Sequence, residues 1–335
     1  MHTRQKERVS KRQSERIRLG VLTNPVAQHN HRFPFTHKSI QGHLDSYADA
    51  VLTVSRDEIK DAIKHLLFDR KINCLALNGG DGTIHAALNA IISLNIFEQG
   101  QLPPLLLLNG GTYNMASRAF GTKGDPVTTV RRFVRRYRDK NICDVHTRRM
   151  TLLDIRFEDG SKMVGMVFGS EVIANALDLC DKLGGGYPGL ARLLFRGAGG
   201  CLLNTTFYKE NLWRIVPSDY AVTVDGKRFD EVLGFVASTI DLKLVRGFVH
   251  SLKAVEGNNG FPCKIVFGKS GWDIVSMLPA LLWDLPHRRI MNLVASDFAM
   301  LRGGFTVDGE LYENRGGITI SRFPYHVDVV SGDSF

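Results

Sequence analysis

LNGGDGTIHAALNA, residues 77–90, joins a predicted strand to a predicted helix. The apolar run over residues 72–77 is short enough for a buried strand, and apolar residues recur at helical spacing over residues 84–91. Three glycines and Asp81 therefore lie at a strand-to-helix turn. Backbone N–H groups and the positive end of the helix dipole meet at such a turn, which suits a phosphate group.

A second glycine turn follows the next predicted strand. Residues 105–109, LLLLN, indicate a strand, and Gly110, Gly111 and Thr112 follow it before another helical pattern. The carboxyl ends of neighbouring parallel strands lie at the sheet edge where α/β proteins bind ligands. Neither turn matches the P-loop pattern GxxxxGK[ST] or the dinucleotide-binding pattern GxGxxG. The two turns together predict a phosphate site of another kind.

Strand-like and helix-like segments alternate from residue 18 to about residue 145, which predicts βαβ units around a parallel sheet. Ser55 begins a capping box for a helix over residues 57–69. Pro126 suits the first position of a helix over residues 126–138, whose arginines fall on its outer face.

The pattern changes after about residue 145. Residues 151–169, 220–238 and 304–321 each indicate strand, turn and strand, which predicts an antiparallel, β-rich domain. Residues 172–197 have a helical pattern with the break GGGYPG at 184–189. We interpret the break as a connection between helices rather than a mobile segment over a site.

The formal net charge of +9 is concentrated near the start of the chain and over residues 131–140. Such clusters attract nucleic acid phosphates or anionic lipid headgroups, and a solvated surface is the simpler interpretation. We expect no nucleic acid partner, since no binding module is recognisable.

Five cysteines without a CxxC pair indicate neither a zinc site nor a disulfide framework, and they suit a reducing cytoplasm. The longest apolar stretches fall short of the roughly 20 residues that span a bilayer. The basic start is not followed by the apolar region of a secretory signal.

Four motifs together resemble one family of lipid kinases. They are Asn24-Pro25 after the first strand, GGDGT at 79–83, GGTYN at 110–114 and VDGE at 307–310. The family includes bacterial diacylglycerol kinases and the sphingosine and ceramide kinases, and the resemblance spans residues 18–320. It implies a nucleotide-binding first domain, a β-sandwich-like second domain, and ATP in the cleft between them.

The fold class that we predict is α/β with two domains. A basic, flexible tail over residues 1–17 precedes a three-layer α/β nucleotide-binding domain with a mostly parallel sheet over residues 18–145. A β-rich, sandwich-like lipid-substrate domain covers residues 146–320, and the C-terminal segment 321–335 could return to the first domain.

The resemblance also implies the site residues. The nucleotide would be lined by Asn24, Gly79, Gly80, Asp81, Gly82, Thr83, Gly111, Thr112 and Asn114. Asp81 would either help to hold a Mg²⁺ ion that bridges the phosphates or fix the glycine turn by hydrogen bonds, and we favour the metal role. A turn residue with no chemical part is the simplest alternative.

Glu310 is the proton acceptor that the resemblance implies for phosphoryl transfer to an alcohol, with Asp308 beside it. The tetrapeptide VDGK at 224–227 is nearly the same, and Asp-Gly is first of all a hairpin signal, so an ordinary turn remains an alternative.

Three features depart from the family pattern. Ala86 and Met115 stand where the family often has Glu and Asp, and residues 251–267 do not match the acidic metal-binding loop of the bacterial enzymes. His29, His31 and His37 could bind metal, although we favour a polar loop there. His85 suits either nucleotide contact or an ordinary surface position.

The leading hypothesis is an ATP- and Mg²⁺-dependent lipid kinase in the cytoplasm, peripherally associated with anionic membranes, with a diacylglycerol-like acceptor. Whether it forms a homodimer is left open. A catalytically weak lipid- or nucleotide-binding sensor is the first alternative. A soluble-substrate kinase such as an NAD kinase, which shares GGDG, is the second.

Overall fold

The structure is a computed structural model that describes residues 15–44, 49–97, 102–216, 220–244, 249–252, 260–283, 285–313 and 316–335. The chain divides into two compact units. Unit 1 comprises Met1–Met150 and Tyr325–Phe335, and unit 2 comprises Thr151–Pro324.

Unit 1 contains a parallel sheet. Its first four strands are β1 (Leu19–Thr23), β2 (Asp49–Leu52), β3 (Cys74–Gly79) and β4 (Leu105–Asn109). Their order is β2-β1-β3-β4, and the last strand of the chain, Ile318–Val330, joins β4 in parallel where Val329 pairs with Leu105. β1, β3 and β4 are buried along almost their whole length, as expected of strands covered on both faces.

Helices cover both faces of this sheet. They are α1 (Gln28–Arg32), α2 (Thr36–Leu44), α3 (Arg56–Lys64), α4 (Asp81–Ser93), α5 (Met115–Ala119) and α6 (Pro126–Tyr137). Ile40 of α2 and Phe133 of α6 share a buried cluster with Val21 of β1. Gly20, on the opposite face of β1, lies against Leu66, which belongs to the π-helical turn His65–Asp69 that continues α3. Unit 1 therefore has three layers.

Several sequence predictions for unit 1 are confirmed. Ser55 forms the predicted capping box with Glu58, and Pro126 is the first residue of α6. The polar loop predicted after β1 is wrong, because residues 28–44 form α1 and α2. β2 was not predicted. A buried face on α2 stabilises this polar segment as a helix, since Ile40 and Leu44 pack into the core.

Unit 2 is a β-sandwich with a helical layer. Its strands are β5 (Thr147–Phe157), β6 (Lys162–Gly165), β7 (Val167–Ser170), β8 (Val222–Val224), β9 (Lys227–Phe229), β10 (Val232–Ser238), β11 (Leu242–Leu244), β12 (Val249–Leu252), β13 (Phe261–Phe267), β14 (Ile290–Ala295), β15 (Asp297–Met300), β16 (Phe305–Val307), β17 (Glu310–Tyr312) and β18 (Ile318–Val330), of which β5 begins and β18 ends within unit 1. One sheet is antiparallel in the order β14-β13-β10-β7-β16-β17. The other sheet layer contains β18, β15, β8 and β9, with β5 and β6.

Side chains from both layers of unit 2 form one buried core. Phe168 and Phe235 contribute from the six-stranded sheet, and Leu153 and Phe298 contribute from the other layer. The helices are α7 (Val172–Lys182), α8 (Gly186–Leu203), α9 (Thr206–Ile215) and α10 (Gly271–Trp283). The predicted fold class is thus confirmed. α7 and α8 are separate helices, but only residues 183–185 connect them, because residues 186–189 of the GGGYPG stretch already belong to α8. Among the described helices, none has the length and apolar character to cross a bilayer.

Candidate functional site

The two glycine turns lie side by side at the carboxyl ends of β3 and β4. The N–H of Gly110 donates to the carbonyl of Gly79 at 3.1 Å. A Cβ atom on Gly111 would lie 2.2 Å from the Cα of Gly80, and one on Gly80 would lie 3.1 Å from the Cα of Gly111. A side chain on Gly111 does not fit between the turns and one on Gly80 would be tight, so the packing of the turns against each other favours glycine at both positions.

The first strand is tied to the first turn through Asn24. Its Nδ2 donates to Oγ1 of Thr83 at 2.9 Å, and its backbone N–H donates to the carbonyl of Asn78 at 2.9 Å. A Cβ atom on Gly79 would clash with the Thr83 side chain at 2.4 Å. Asn24, Gly79 and Thr83, which were predicted from the sequence, are therefore brought together.

Asp81 connects the two turns. It is 8% exposed, and its two carboxylate oxygens accept the N–H groups of Met115, at 3.1 Å, and Ala116, at 3.0 Å. These donors are the first two residues of α5, so the carboxylate satisfies N–H groups that a helix start leaves unpaired. The hydrogen-bonding role considered for Asp81 is thus present in the structure. Its metal role remains a prediction.

Asn114 closes the second turn. Its Oδ1 accepts the N–H of Gly111 at 2.8 Å, and its Nδ2 donates to the carbonyl of Gly111 at 3.0 Å. The residue is left-handed, with φ 50° and ψ 45°, which Asn tolerates better than most residues. Gly82 and Thr112, also predicted from the sequence, are half-buried beside these turns.

Sequence reasoning missed Asn30 at this site. The side chain is 3% exposed, and its Nδ2 donates to the carbonyls of Asn24, at 2.8 Å, and Asn78, at 3.1 Å. It therefore joins α1 to the ends of β1 and β3. Its position in the segment interpreted as a polar loop concealed this role.

An open cavity of ≈ 570 Å³ lies beside the second turn. Its lining includes Gly111, Thr112 and Asn114 from the prediction, and adds His29, Asn109, Arg118, Thr122, Lys123, Gly124 and Asp125. Arg118 and Lys123 bring positive charge to the bare backbone, as phosphate recognition requires. The signal that could have found them is the stretch RAFGTK directly after the second turn.

Two residues of the cavity wall, Lys123 and His29, have charged neighbours. Lys123 Nζ lies 3.0 Å from a carboxylate oxygen of Asp333 near the chain end. Burial lowers the pKa of His29, helped by nearby Arg32 and opposed by Asp125. His29 is therefore neutral at pH 7 and can accept or donate a hydrogen bond there.

Asp308 lies in unit 2, in the hairpin between β16 and β17. It is 3% exposed, has φ 53°, and its Oδ1 accepts the N–H groups of Met166, at 2.9 Å, and Val167, at 2.8 Å. The carboxylate therefore fixes the junction of β6 and β7.

Asp225 repeats this arrangement in the other VDG hairpin, between β8 and β9. It has φ 48°, and its Oδ1 accepts the N–H groups of Ser296, at 2.8 Å, and Asp297, at 3.0 Å. Both VDG sequences thus use Asp to join a hairpin to another strand. This parallel supports the interpretation of Asp308 as a residue of an ordinary turn. A catalytic role for Asp308 beside Glu310 remains a prediction.

Glu310 begins β17 and is half-buried. Asp181, at the end of α7, lies near enough for the two carboxylates to interact. Burial raises the pKa of Asp181, and the negative charges of Asp178 and Glu310 raise it further. Glu310 therefore belongs to an acidic environment, which is compatible with its predicted role as a proton acceptor.

The histidine expectations are corrected. His85 is 3% exposed and lies within hydrogen-bonding range of the Asn89 side chain, so it is not a surface residue. His29 and His31 lie on α1 and His37 on α2. Within the described ranges, no group of three or more metal-ligating side chains is present. Much of the loop compared with the acidic metal site, residues 253–259, lies outside the described residues.

The chain resembles known proteins in sequence over its first half and in fold over most of its length. The family model of the diacylglycerol kinase catalytic domain matches residues 18–144, which confirms the resemblance over the part of the chain that carries Asn24-Pro25, GGDGT and GGTYN. No curated protein matches the chain. A diacylglycerol kinase structure from Bacillus anthracis str. Sterne is 12% identical, with 94% of this chain and 96% of that chain covered and a TM-score of 0.60.

Two structures of a provisionally assigned diacylglycerol kinase from the same organism are each 13% identical. Each covers 95% of this chain and 98% of its own, with a TM-score of 0.65. At this identity the likeness shows a shared fold, and it extends over both units.

Proposed function

We propose that this chain, whose residues 18–144 match the diacylglycerol kinase catalytic domain, belongs to that family of lipid kinases and transfers the γ-phosphoryl group of ATP to the hydroxyl group of a lipid. A diacylglycerol-like lipid is the acceptor that we favour. The reaction requires bound phosphates, compensation of their negative charge, and a group that accepts the proton of the hydroxyl.

The contact between Gly80 and Gly111 carries the proposal. A Cβ atom on Gly111 would overlap Gly80, and one on Gly80 would be tight against Gly111, so the two turns meet backbone to backbone. A backbone without side chains lets a phosphate approach closely, while the N–H groups of Gly110 and Gly111 themselves already donate to the Gly79 carbonyl and to Asn114 Oδ1. Together with the start of helix α4 at Asp81, whose N-terminus favours an anion, the packed turns support a phosphate ligand.

Arg118 and Lys123 supply the positive charge that the proposal needs beside the second turn. Mg²⁺ bound with ATP would neutralise further phosphate charge, and such ions usually keep waters and take only one or two protein carboxylates. Asp81 is the carboxylate that we propose for that purpose, because it lies in the first glycine turn. Its oxygens already accept two N–H groups, so any metal contact would use their remaining lone pairs.

Glu310 is the residue that we propose as proton acceptor. Asp181 lies near it, and burial, together with the negative charges of Asp178 and Glu310, raises the pKa of Asp181. Asp308 would act as a positioning residue, since it holds the hairpin on which Glu310 lies. The bound lipid hydroxyl would lose its proton to Glu310 as the phosphoryl group is transferred.

Peripheral association with anionic membranes in the cytoplasm is part of the proposal. Arg131, Arg132, Arg135 and Arg136 of α6 are exposed, and none forms a salt bridge with any residue that the structure describes. Unpaired guanidinium groups on one helix are attracted to anionic lipid headgroups. The predicted basic tail lies mostly outside the described residues.

The test is incubation with Mg²⁺ and γ-labelled ATP in mixed micelles of diacylglycerol, of sphingosine or of lipid extract. We expect label in the chloroform-soluble product with the wild type and a loss of at least about a hundredfold with Glu310→Gln. Lys227→Gln is the matched control, because Lys227 occupies the same position in the other VDG hairpin. Equal labelling by wild type and Glu310→Gln would reject Glu310 as proton acceptor.

A sensor that binds lipid or nucleotide without efficient turnover is the second candidate. Engagement of both Asp81 oxygens by backbone N–H groups favours it, as do Ala86 and Met115 in place of acidic residues. ATP binding without labelling of any lipid would support the sensor. Turnover that lipid fails to stimulate would instead favour a soluble-substrate kinase.

A further inference from the structure

Helix α8 of unit 2 exposes apolar side chains along the line that faces solvent. Pro188, Phe195 and Leu202 recur at intervals of seven residues, close to two helical turns, and all three are exposed. Phe195 is 83% exposed, Leu202 is 61% exposed and the adjoining Leu203 is 78% exposed. A helix of a globular protein normally presents polar residues on this line, so the apolar line indicates a binding surface.

The opposite side of α8 is already packed. Leu193 is 9% exposed and belongs to a buried cluster with Leu179 and Cys180 of α7. Gly189 faces α7 so closely that a Cβ atom there would lie 2.5 Å from the carbonyl oxygen of Cys180. The orientation of α8 is therefore fixed, and Phe195 and Leu202 cannot turn inward without breaking this contact.

Two arginines flank the apolar line. Arg192 donates from Nη1 to the carbonyl of Leu183 at 2.6 Å, and the Arg196 guanidinium lies 5.8 Å from the ring centre of Phe207. Both remain exposed. Residues 186–203 contain no acidic residue, so the helix combines exposed apolar groups with purely positive charge.

We propose that α8 is the surface by which unit 2 docks on an anionic phospholipid bilayer. Phe195 and Leu202 enter the interfacial region, while Arg192 and Arg196 contact lipid phosphates. The inference deepens the proposed function and rests on it for its purpose, because a lipid kinase must reach a substrate that lies in a membrane.

Charge favours a bilayer over a second copy of the chain. In a two-fold symmetric contact, the same patch meets itself, so the Arg192 and Arg196 side chains of two copies would converge. The helix has no carboxylate with which to compensate them. A bilayer that contains anionic lipids supplies both an apolar interior and phosphate groups.

Co-sedimentation with vesicles tests the proposal, using the full chain without ATP. Vesicles of phosphatidylcholine alone are compared with vesicles that also contain phosphatidylglycerol. We expect Phe195→Gln/Leu202→Gln to weaken binding to the anionic vesicles at least about tenfold. Arg192→Gln/Arg196→Gln should weaken binding to the anionic vesicles alone and reduce its dependence on salt.

Leu301→Gln is the matched control, because Leu301 is 80% exposed in unit 2 but lies on another element. It should bind as the wild type does. Phe195→Trp gives a second readout that does not depend on removing an apolar group. Its additional indole emission, relative to the wild type, should shift to shorter wavelength when anionic vesicles are added.

Two outcomes would overturn the docking surface. In the first, Phe195→Gln/Leu202→Gln binds vesicles as tightly as the wild type does, and the emission of Phe195→Trp does not shift. The other is a change of sedimentation velocity from dimer to monomer in the double variant, with vesicle binding intact, which would make α8 an interface between copies. Vesicle binding by α8 without lipid phosphorylation would retain the surface and reject the kinase, so the two failures are distinguishable.

Discussion

Gly80 and Gly111 end two neighbouring strands of unit 1 in direct backbone contact, so closely that a Cβ atom on Gly111 would lie 2.2 Å from the Cα of Gly80. Asp81 reinforces the contact, because its carboxylate accepts the first N–H groups of the helix that follows the second turn. The two turns therefore form one structural unit, although 30 residues separate their central glycines in sequence.

Gly111→Ala should destabilise the protein by about 1–3 kcal/mol, because the added methyl group forces the two turns apart. ATP affinity should fall with it. Urea unfolding and calorimetric titration with ATP measure both effects. Gly42→Ala is the matched control on α2, where a Cβ atom meets nothing within 4 Å, and it should stabilise by about 0.5–1 kcal/mol. Wild-type ATP affinity in Gly111→Ala would contradict the proposed cradle.

Asp81→Asn should destabilise the protein by about 1–3 kcal/mol even without nucleotide and with EDTA present, since an amide group replaces an acceptor of two backbone N–H groups. Urea unfolding under those conditions checks it. Asp57→Asn, at the exposed first turn of α3, should change stability by less than about 1 kcal/mol. Unchanged stability in EDTA, with weaker binding of MgATP, would instead make Asp81 a metal ligand alone.

Asp308→Ala should be more destabilising than Asp225→Ala, although both carboxylates accept two backbone N–H groups. Asp308 is 3% exposed, so in the alanine variant the N–H groups of Met166 and Val167 would have neither the carboxylate nor water as a partner. We expect the free energy of unfolding to fall by about 1–3 kcal/mol. Asp225 is exposed, and water can replace its side chain. Chemical denaturation of the two variants compares them directly. Equal losses would show that burial of the carboxylate is not the deciding factor.

Lys123→Ala should weaken ATP binding about tenfold, because it removes a charged donor from the cavity beside the second turn. Its effect on stability should be no more than about 1 kcal/mol, since the Lys123 and Asp333 side chains are 76% and 61% exposed. Asp333→Asn removes the ion pair but keeps the lysine, and should bind ATP within about threefold of the wild type. Similar losses of ATP affinity in both variants would assign the effect to the ion pair.

Relative to the wild type at the same pH, Glu171→Gln should become progressively more stable as the pH rises. Burial raises the pKa of Glu171, against the opposing effects of the Gly304 backbone and Arg302. The folded chain therefore keeps this proton to higher pH than the unfolded chain does, and the free energy of unfolding falls as pH rises from the ordinary pKa to the raised one. Below the ordinary value the carboxyl is neutral in both states, so the variant and wild type should converge. Thermal unfolding of the variant and the wild type across this pH range checks the prediction. A difference in stability that stays constant with pH would contradict it.

Local pattern was sufficient for the elements with strong periodicity. The strand and helix around GGDGT, the capping box at Ser55 and the helix that begins at Pro126 all follow from short-range rules. Helix α1 does not follow from such rules, because it has only five residues and no side-chain cap. Asn30 joins it to the ends of β1 and β3 by hydrogen bonds that no local pattern encodes.

The sequence by itself determined the α/β class, the β-rich second half, the resemblance to the diacylglycerol kinase catalytic domain, and the residue types that gather at the glycine turns. Tertiary structure alone decided what those residues touch. Asp81 meets N–H groups 34 and 35 positions away, and Asp308 meets donors more than 140 positions away. Periodicity reports which face of an element is buried, whereas a hydrogen bond between distant turns depends on how the strands are ordered in the sheet. The exposed apolar line of α8 also depends on the tertiary structure, because only the packing of α7 against the other side of α8 shows which of its residues face solvent.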